Sequence, residues 1–66
     1  MKLLVNGEAQ SFDGPLTVDA LVDRLDLERR GLAIAVNGEV VPRSTWSGHD
    51  LVDGDQLEIL TIAQGG

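Results

Sequence analysis

The 66-residue sequence predicts a single α+β domain in which one helix packs on one face of a mixed β-sheet. Two Asn-Gly dipeptides, each between short apolar stretches, predict two β-hairpins. An amphipathic segment between the hairpins predicts the helix, and an apolar run near the end predicts a last strand.

The two predicted hairpins share one turn chemistry, because Asn-Gly tolerates positive φ at both central positions of a type I′ turn. The turns are Asn6-Gly7 and Asn37-Gly38. Pro42 has no backbone N–H and should end the second hairpin early. The predicted strand pairs are residues 2–5 with 8–12 and residues 32–36 with 39–41.

The predicted helix begins after Thr17, whose hydroxyl can accept a hydrogen bond as the N-cap. Gly31, directly after Arg29-Arg30, predicts its C-terminal end. Acidic residues near the start and these cations near the end would suit the helix dipole. The apolar stripe consists of Val18, Leu21, Val22 and Leu25, and the acidic residues are Asp19 and Asp23.

The last third of the chain predicts one more strand. Residues 43–52 lack a regular period, Asp53-Gly54-Asp55 predicts a turn, and residues 57–62 predict the strand. A crossover helix between two hairpins predicts that this strand returns beside the first strand, in parallel. This is a ubiquitin-like β-grasp of about five strands. We expect the domain to cover residues 1–62, with a free, flexible tail over residues 63–66.

Strand alternation assigns the apolar residues to two faces of the sheet. Those expected to face the helix are Met1, Leu3, Val5, Leu57 and Ile59. Leu4, Leu60 and Ile62 are left on the open face, where apolar side chains on adjacent parallel strands would form a patch. We interpret this patch as a docking surface, to which Ala63 and Gln64 of the tail contribute. The alternative is that residues 43–52 pack over it.

Composition excludes several function classes. The sequence has no cysteine, and therefore no disulfide, thiolate metal site or cysteine nucleophile. Its net charge of −6 opposes binding to nucleic acid or anionic membranes and favours basic partners, although acidity also keeps small domains soluble. No apolar run is long enough for a signal peptide or a membrane span, so we expect a soluble cytoplasmic protein.

The polar residues do not predict a catalytic centre. His49 and Asp50 adjoin Ser44 and Ser47 in one short segment, where neighbouring side chains cannot converge as a catalytic triad requires. The spacing of Asp50, Asp53 and Asp55 does not match a calcium-binding loop. The glycines form no phosphate-binding motif, so the chain is not expected to activate ATP itself.

The end of the sequence is the best candidate site. Gly65-Gly66 has no Cβ atoms, so its backbone can pass through a narrow channel in a partner enzyme. The α-carboxylate of Gly66 would be the reactive group, but an ionised carboxylate resists nucleophiles and must first be activated, for example as an acyl-adenylate. An external sulfur nucleophile could then convert it to a thiocarboxylate. The alternative is that the two glycines are a frayed end or a cloning remnant.

Several segments together resemble the ThiS family, the sulfur carrier proteins of thiamine biosynthesis. Thr17-Val18 with Leu21 matches the start of the family's helix, so the resemblance covers nearly the whole chain. The other matching segments are Ala35-Val36-Asn37-Gly38-Glu39-Val40-Val41-Pro42-Arg43, Trp46, Leu51-Val52-Asp53-Gly54-Asp55 and Gly65-Gly66. The departure is Gln64, which is larger and more polar than the small residue that often precedes Gly-Gly in the family.

The resemblance implies that the chain is a co-substrate rather than an enzyme and that it holds no permanent cofactor. An E1-like adenylyltransferase (ThiF) would use ATP and Mg²⁺ to adenylate Gly66. A sulfurtransferase or cysteine desulfurase relay would supply the sulfur. Thiazole synthase (ThiG) would take that sulfur into the thiazole ring of thiamine.

The sequence is also compatible with two rival functions. The small subunit of molybdopterin synthase is also a β-grasp carrier that ends in Gly-Gly, but its Pro-Pro-Val-Ser stretch is missing here. In the second rival, the chain is a non-conjugating β-grasp interaction module that works through Leu4 and Leu60, with an idle tail.

Overall fold

The computed structural model of the chain describes residues 1–62. These residues form five strands, one α-helix and one 3₁₀-helix. In chain order the elements are β1 (Lys2–Val5), β2 (Glu8–Ser11), α1 (Val18–Arg24), β3 (Leu32–Val36), β4 (Glu39–Val40), the 3₁₀-helix (Arg43–Gly48) and β5 (Gln56–Thr61). Each strand boundary lies within one residue of the prediction.

The five strands of residues 1–62 form one mixed sheet in the order β2-β1-β5-β3-β4. The two hairpins are antiparallel, and β5 lies between them. It runs parallel to β1, with Leu4 opposite Gln56, and antiparallel to β3, with Ile34 opposite Ile59. The predicted parallel return of the last strand beside the first is therefore confirmed, and so is the β-grasp topology.

Both hairpin turns have the predicted backbone conformation. Asn6 and Gly7 have φ values of 50° and 85°, and Asn37 and Gly38 have φ values of 52° and 85°. Positive φ at both central positions is what a type I′ turn requires. The matching turns place two asparagine side chains beside β5, one from each hairpin.

The helix begins where the sequence predicts, but it ends earlier. The Thr17 hydroxyl accepts a hydrogen bond from the backbone N–H of Ala20 at 3.1 Å, as an N-cap should. The predicted end at Gly31 is wrong, because α1 stops at Arg24 and Asp26 turns the chain into the left-handed region with φ of 55°. Gly31 has a φ of 68° but lies directly before β3, beyond a loop.

Arg29 therefore lies in the loop after α1 and not in the last turn of the helix. Its guanidinium reaches back to the carboxylates of Asp19 at 2.8 Å and Asp23 at 3.0 Å. The hydrogen bond from Arg29 to Asp19, followed by the one to Asp23, raises the pKa of Arg29 above its ordinary value. The prediction that Arg29 and Arg30 stabilise the negative end of the helix dipole is wrong for Arg29.

The core lies between the sheet and α1. Leu3, Val5 and Leu57 are buried on the helix face as predicted, and Met1 and Ile59 are half-buried against the same core. The other members of the core come from α1, from β3 and from the connecting segments, and they are Leu16, Val18, Leu21, Val22, Ile34, Val36, Val41, Trp46 and Leu51. No helix within residues 1–62 has the length and apolar character needed to cross a membrane.

Residues 43–52 have more structure than their irregular sequence pattern indicates. Their 3₁₀-helix lies against α1, and it buries Trp46, whose indole N–H donates to the Val41 carbonyl at 2.9 Å. Leu60 and Ile62 remain 64 % and 55 % exposed. The alternative in which residues 43–52 cover the open-face patch is therefore wrong.

Candidate functional site

The predicted reactive residues, Gly65 and Gly66, lie outside the described residues, as do Ala63 and Gln64. The described part of the candidate site is the strand that leads to them, β5, and the open face of the sheet around it. The hydrogen bonds that fix β5 therefore set the point from which residues 63–66 begin.

Two asparagine side chains hold β5 from opposite sides. Asn6 donates from Nδ2 to the Ile59 carbonyl at 3.1 Å and accepts at Oδ1 from the Ile59 N–H at 2.8 Å. Asn37 accepts at Oδ1 from the Gln56 N–H at 3.0 Å and donates to the Asp55 carboxylate at 2.9 Å. These side chains take the place of backbone partners where the neighbouring strands turn away.

The end of β5 is also fixed. The Ile62 N–H donates to the Gly31 carbonyl at 2.6 Å, one residue beyond the Leu32–Thr61 pair. The chain is thus hydrogen-bonded to its last described residue. Residues 63–66 can extend about 13 Å from this point, at 3.3 Å per residue.

The turn that leads into β5 is built from two of the acidic residues. Asp55 is buried, and its carboxylate accepts from the Val52 N–H at 2.9 Å and from Asn37. Asp53 accepts from the Lys2 N–H at 2.7 Å. Within residues 1–62, no three His, Cys, Asp or Glu side chains are grouped as metal ligands. Asp53 and Asp55 stabilise a turn, as the sequence indicates.

His49 lies at the end of the 3₁₀-helix, half-buried, away from the open face. Its carbonyl accepts from the Val18 N–H at 3.0 Å, which ties this segment to the start of α1. The backbone of His49 thus connects the 3₁₀-helix to α1.

The open face carries Leu4, Leu60 and Ile62, three of the five predicted docking residues, but not as one patch. Leu60 lies opposite Ala33 of β3, whereas Leu4 lies opposite Gln56, four residues earlier along β5. Four residues of strand correspond to about 13 Å, so Leu4 and Leu60 are not neighbours. The prediction that these side chains form one continuous patch is wrong, because alternation sets the face but not the register.

In the part of the chain that the structure describes, shallow depressions lie on the open face around Leu4 and around Leu60. One has a volume of about 210 Å³ and lies between the two Asn-Gly turns, beside Leu4. The other has a volume of about 180 Å³ and lies around Leu60 and Val40. Val40 is 75 % exposed and was missed from the sequence. Its pairing with Ala35 across the second hairpin could have placed it on this face.

The fold and the candidate site together define a small ubiquitin-like β-grasp protein whose sequence continues past the central strand into Gly-Gly. A sequence model of the ThiS family matches residues 3–66. The chain belongs to the ThiS family.

Individual relatives agree with this assignment. The sulfur carrier protein ThiS of Escherichia coli is 36 % identical over 66 residues, and the match covers both chains in full. A thiazole synthase of Paramagnetospirillum magneticum is 41 % identical over 66 residues, although this chain spans only 20 % of that protein's length. The crystal structure of a thiamine biosynthesis protein (ThiS) from Geobacter metallireducens superimposes with a TM-score of 0.86 at 33 % identity, over the full length of both chains.

Proposed function

We propose that this ThiS-family sulfur carrier acts in the cytoplasm through the α-carboxylate of Gly66, which is adenylated, converted to a thiocarboxylate and used as the sulfur source for the thiazole of thiamine. The observation that carries the proposal is the full-length match to the sulfur carrier of Escherichia coli, together with a family match that extends to residue 66. The protein serves as a co-substrate of its partner enzymes.

The Gly66 carboxylate is the only group of this chain that reacts in each chemical step of the proposal. One oxygen of the Gly66 carboxylate attacks the α-phosphorus of ATP, and pyrophosphate leaves, so that a mixed anhydride with AMP forms. A hydrosulfide equivalent then attacks the carbonyl carbon, and AMP leaves with the electrons of the broken C–O bond. The adenylate is needed because the free carboxylate is an anion and has no good leaving group.

Gly65 contributes clearance in this scheme. A residue without Cβ lets the backbone pass close to the walls of a partner's active site and adopt either sign of φ. The described structure is consistent with a rigid domain that presents a reactive end, because β5 is hydrogen-bonded on both sides and the Ile62 N–H is bonded to the Gly31 carbonyl. The domain thus presents residues 63–66 from a fixed point.

The proposed partner enzymes are those that the resemblance to the ThiS family implies. An E1-like adenylyltransferase of the ThiF type would bind ATP and Mg²⁺, and a sulfurtransferase or cysteine desulfurase relay would deliver the sulfur. A thiazole synthase of the ThiG type would consume the thiocarboxylate. The relative from Paramagnetospirillum magneticum supports this last partner, because a protein named thiazole synthase contains a segment similar to this whole chain.

The test is mass spectrometry of the intact chain after incubation with the adenylyltransferase, ATP, Mg²⁺ and a sulfur donor. We expect the mass to rise by the difference between one sulfur and one oxygen atom. A chain shortened by Gly66 is the control, and it should neither react nor lose stability, since the buried core residues lie between Leu3 and Leu57. An unchanged mass of the full chain beside an active enzyme would refute the proposal.

A further inference from the structure

Both asparagines of the chain precede a glycine, at Asn6-Gly7 and Asn37-Gly38. This dipeptide is chemically reactive as well as turn-forming, because glycine has no Cβ to shield its backbone nitrogen from the asparagine side chain. Both asparagines are exposed, and an added Cβ at Gly7 or Gly38 would meet no atom within 4 Å. Packing around the turns therefore does not block a reaction within either dipeptide.

The reaction open to these dipeptides is deamidation through a cyclic imide. At the second turn, the backbone nitrogen of Gly38 attacks Cγ of Asn37 and gives up its proton, the Cγ–Nδ2 bond breaks, and ammonia leaves. Water then opens the succinimide at one of its two carbonyl carbons. The product is aspartate or isoaspartate, in which the main chain runs through the side-chain carbon. Water is the only co-reactant, and nothing is oxidised or reduced.

The folded turn opposes ring closure through its backbone. Closure requires the Gly38 nitrogen to lie on the same side of the Cα atom of Asn37 as its Cβ. The φ values of Asn37 and Gly38, 52° and 85°, are those of a type I′ turn. As the mirror image of type I, this turn has ψ of about +30° at its first central position, which rotates the glycine nitrogen roughly 150° away from the Cβ.

Hydrogen bonds to β5 also hold the two side-chain amides. The Asn37 amide accepts from the Gln56 N–H at 3.0 Å and donates to the Asp55 carboxylate at 2.9 Å. The Asn6 amide exchanges two hydrogen bonds with the backbone of Ile59. Each pair must break before Cγ can turn toward the glycine nitrogen, so ring closure requires the turn to separate from β5.

Deamidation would disturb the two turns to different extents. At Asn37 it replaces the donor to Asp55 by a carboxylate, although Asp55 is buried and also accepts from the Val52 N–H at 2.9 Å. Two carboxylates in contact at a buried position repel each other strongly. At Asn6 the lost donor faces a neutral group, the Ile59 carbonyl. Deamidation of Asn37 therefore weakens the attachment of β5 more than deamidation of Asn6.

We propose that Asn37-Gly38 is a deamidation site that the native fold protects, and that its reaction makes a transient opening at the start of β5 permanent. Opening frees the Asn37 amide, ring closure follows, and the new carboxylate then repels Asp55. The inference does not depend on the chemistry proposed for Gly66. It affects that chemistry, since a modified chain would present residues 63–66 from a loosened strand.

The first experiment follows deamidation of the wild-type chain at mildly alkaline pH, in buffer and in urea above the unfolding transition. Peptide mapping by mass spectrometry measures each site separately, and an isoaspartyl methyltransferase detects the isoaspartate product. We expect similar rates at Asn6 and Asn37 in urea, and a rate at Asn37 that is lower by about tenfold or more in buffer, because only the open fraction reacts. A smaller difference at Asn37 between buffer and urea would overturn the inference.

The second experiment removes the acceptor of the Asn37 side chain with Asp55→Ala and leaves both dipeptides intact. In buffer the rate should rise more at Asn37 than at Asn6, which serves as an internal control for a general loss of stability. Asp55→Asn, which keeps one acceptor oxygen, is used where circular dichroism shows that Asp55→Ala does not fold. An equal rise at both sites of a folded variant, or no rise, would count against the inference.

The third experiment compares Asn37→Asp, which reproduces one product, with Asn6→Asp, the same change at the equivalent position of the other turn. We expect a lower urea midpoint for Asn37→Asp, because only this variant places a carboxylate against Asp55. Equal midpoints, or the reverse order, would mean that deamidation of Asn37 does not prevent the start of β5 from closing again, and the inference would fail.

Discussion

Asn6 and Ile59 are 53 residues apart, yet they exchange two hydrogen bonds, of 3.1 Å and 2.8 Å. The amide of Asn6 presents a donor and an acceptor to the backbone of β5, as one more residue of β1 would do. The parallel ladder otherwise reaches only to Val5 opposite Leu57 and to the Asn6 N–H, which donates to the Leu57 carbonyl at 2.9 Å. Asn6 therefore both forms the hairpin turn and extends the sheet.

Replacing Asn6 should destabilise the fold through this pair of hydrogen bonds. Asn6→Asp keeps the shape and tolerates the positive φ, but it places a carboxylate against the Ile59 carbonyl and removes the donor. We expect a loss of about 1–2 kcal/mol in the free energy of unfolding. Urea titration followed by the fluorescence of Trp46 measures it.

The comparison variant is Asn6→Gly, which accepts the same φ and removes the side chain without adding charge. Its free energy of unfolding should fall by an amount similar to that of Asn6→Asp. If Asn6→Gly were as stable as the wild type, the side-chain hydrogen bonds would contribute nothing to the stability of β5.

The turn at Asn6 was predictable, and the hydrogen bonds to Ile59 were not. A type I′ turn depends on two adjacent residues, so the dipeptide Asn-Gly is sufficient to predict it. The side-chain bonds depend on which residue of β5 lies beside Asn6, and that is set by the register of a parallel pairing across almost the whole chain. The same holds for Asn37 and Asp55.

A glycine pair tests the turn geometry by itself. An added Cβ would meet no atom within 4 Å at Gly38 or at Gly48, but only Gly38 has positive φ, at 85°. Gly38→Ala should therefore lower the free energy of unfolding by about 1–2 kcal/mol through backbone strain. Gly48→Ala should leave it unchanged or raise it by about 0.4–1 kcal/mol, because alanine restricts the unfolded chain. Equal effects in thermal unfolding would contradict the assignment of the turn.

The end of the helix shows a limit of local signals. Gly31 after two arginines is a reasonable stop, yet α1 ends seven residues earlier, at Arg24, where Asp26 adopts a left-handed conformation. Asp does so more readily than most residues, but a single Asp gives no clear signal in the sequence. The ion pair between Arg29 and Asp19 could not be predicted from the sequence either, because it forms only when the loop after α1 folds back toward the start of the helix.

Arg29→Ala should lower the melting temperature at low ionic strength, and the difference from the wild type should shrink at high salt. The ion pairs to Asp19 and Asp23 are partly exposed, with 37 % of the Arg29 side chain accessible, so mobile ions screen them. The raised pKa of Arg29 means that its contribution is fully present at neutral pH and is lost only as the pH rises through that raised value.

Its exposed neighbour, Arg30, provides the control. Arg30→Ala removes the same charge from the same loop and should change the melting temperature less than Arg29→Ala at low salt. If the two variants melted alike, the ion pairs of Arg29 would add nothing to stability. If high salt left the Arg29→Ala difference intact, the guanidinium would act through packing rather than charge.

The chemistry of the candidate site is predicted from the sequence alone, whereas its geometry was only partly predictable. Gly65-Gly66 and the family resemblance point to the Gly66 carboxylate as the reacting group, and this stays a prediction. Alternation correctly left Leu4 and Leu60 on the open face, but the register separates them and brings Val40 and Ala33 to Leu60 instead. The sequence predicts no docking role for Glu58, which lines both depressions, because an exposed glutamate is ordinary.

The prediction that Leu60 belongs to a docking surface can be tested with Leu60→Asp. Leu60 is 64 % exposed and lines the depression around Val40, so the change should cost little folding stability. It should weaken binding to the adenylyltransferase by about tenfold or more, since it places a charge where an apolar contact is expected. Val52→Asp is the matched control, because Val52 is 60 % exposed and lines neither depression. Calorimetric titration and a thermal melt of each variant separate binding from folding, and equal affinities for both variants would mean that docking does not use Leu60.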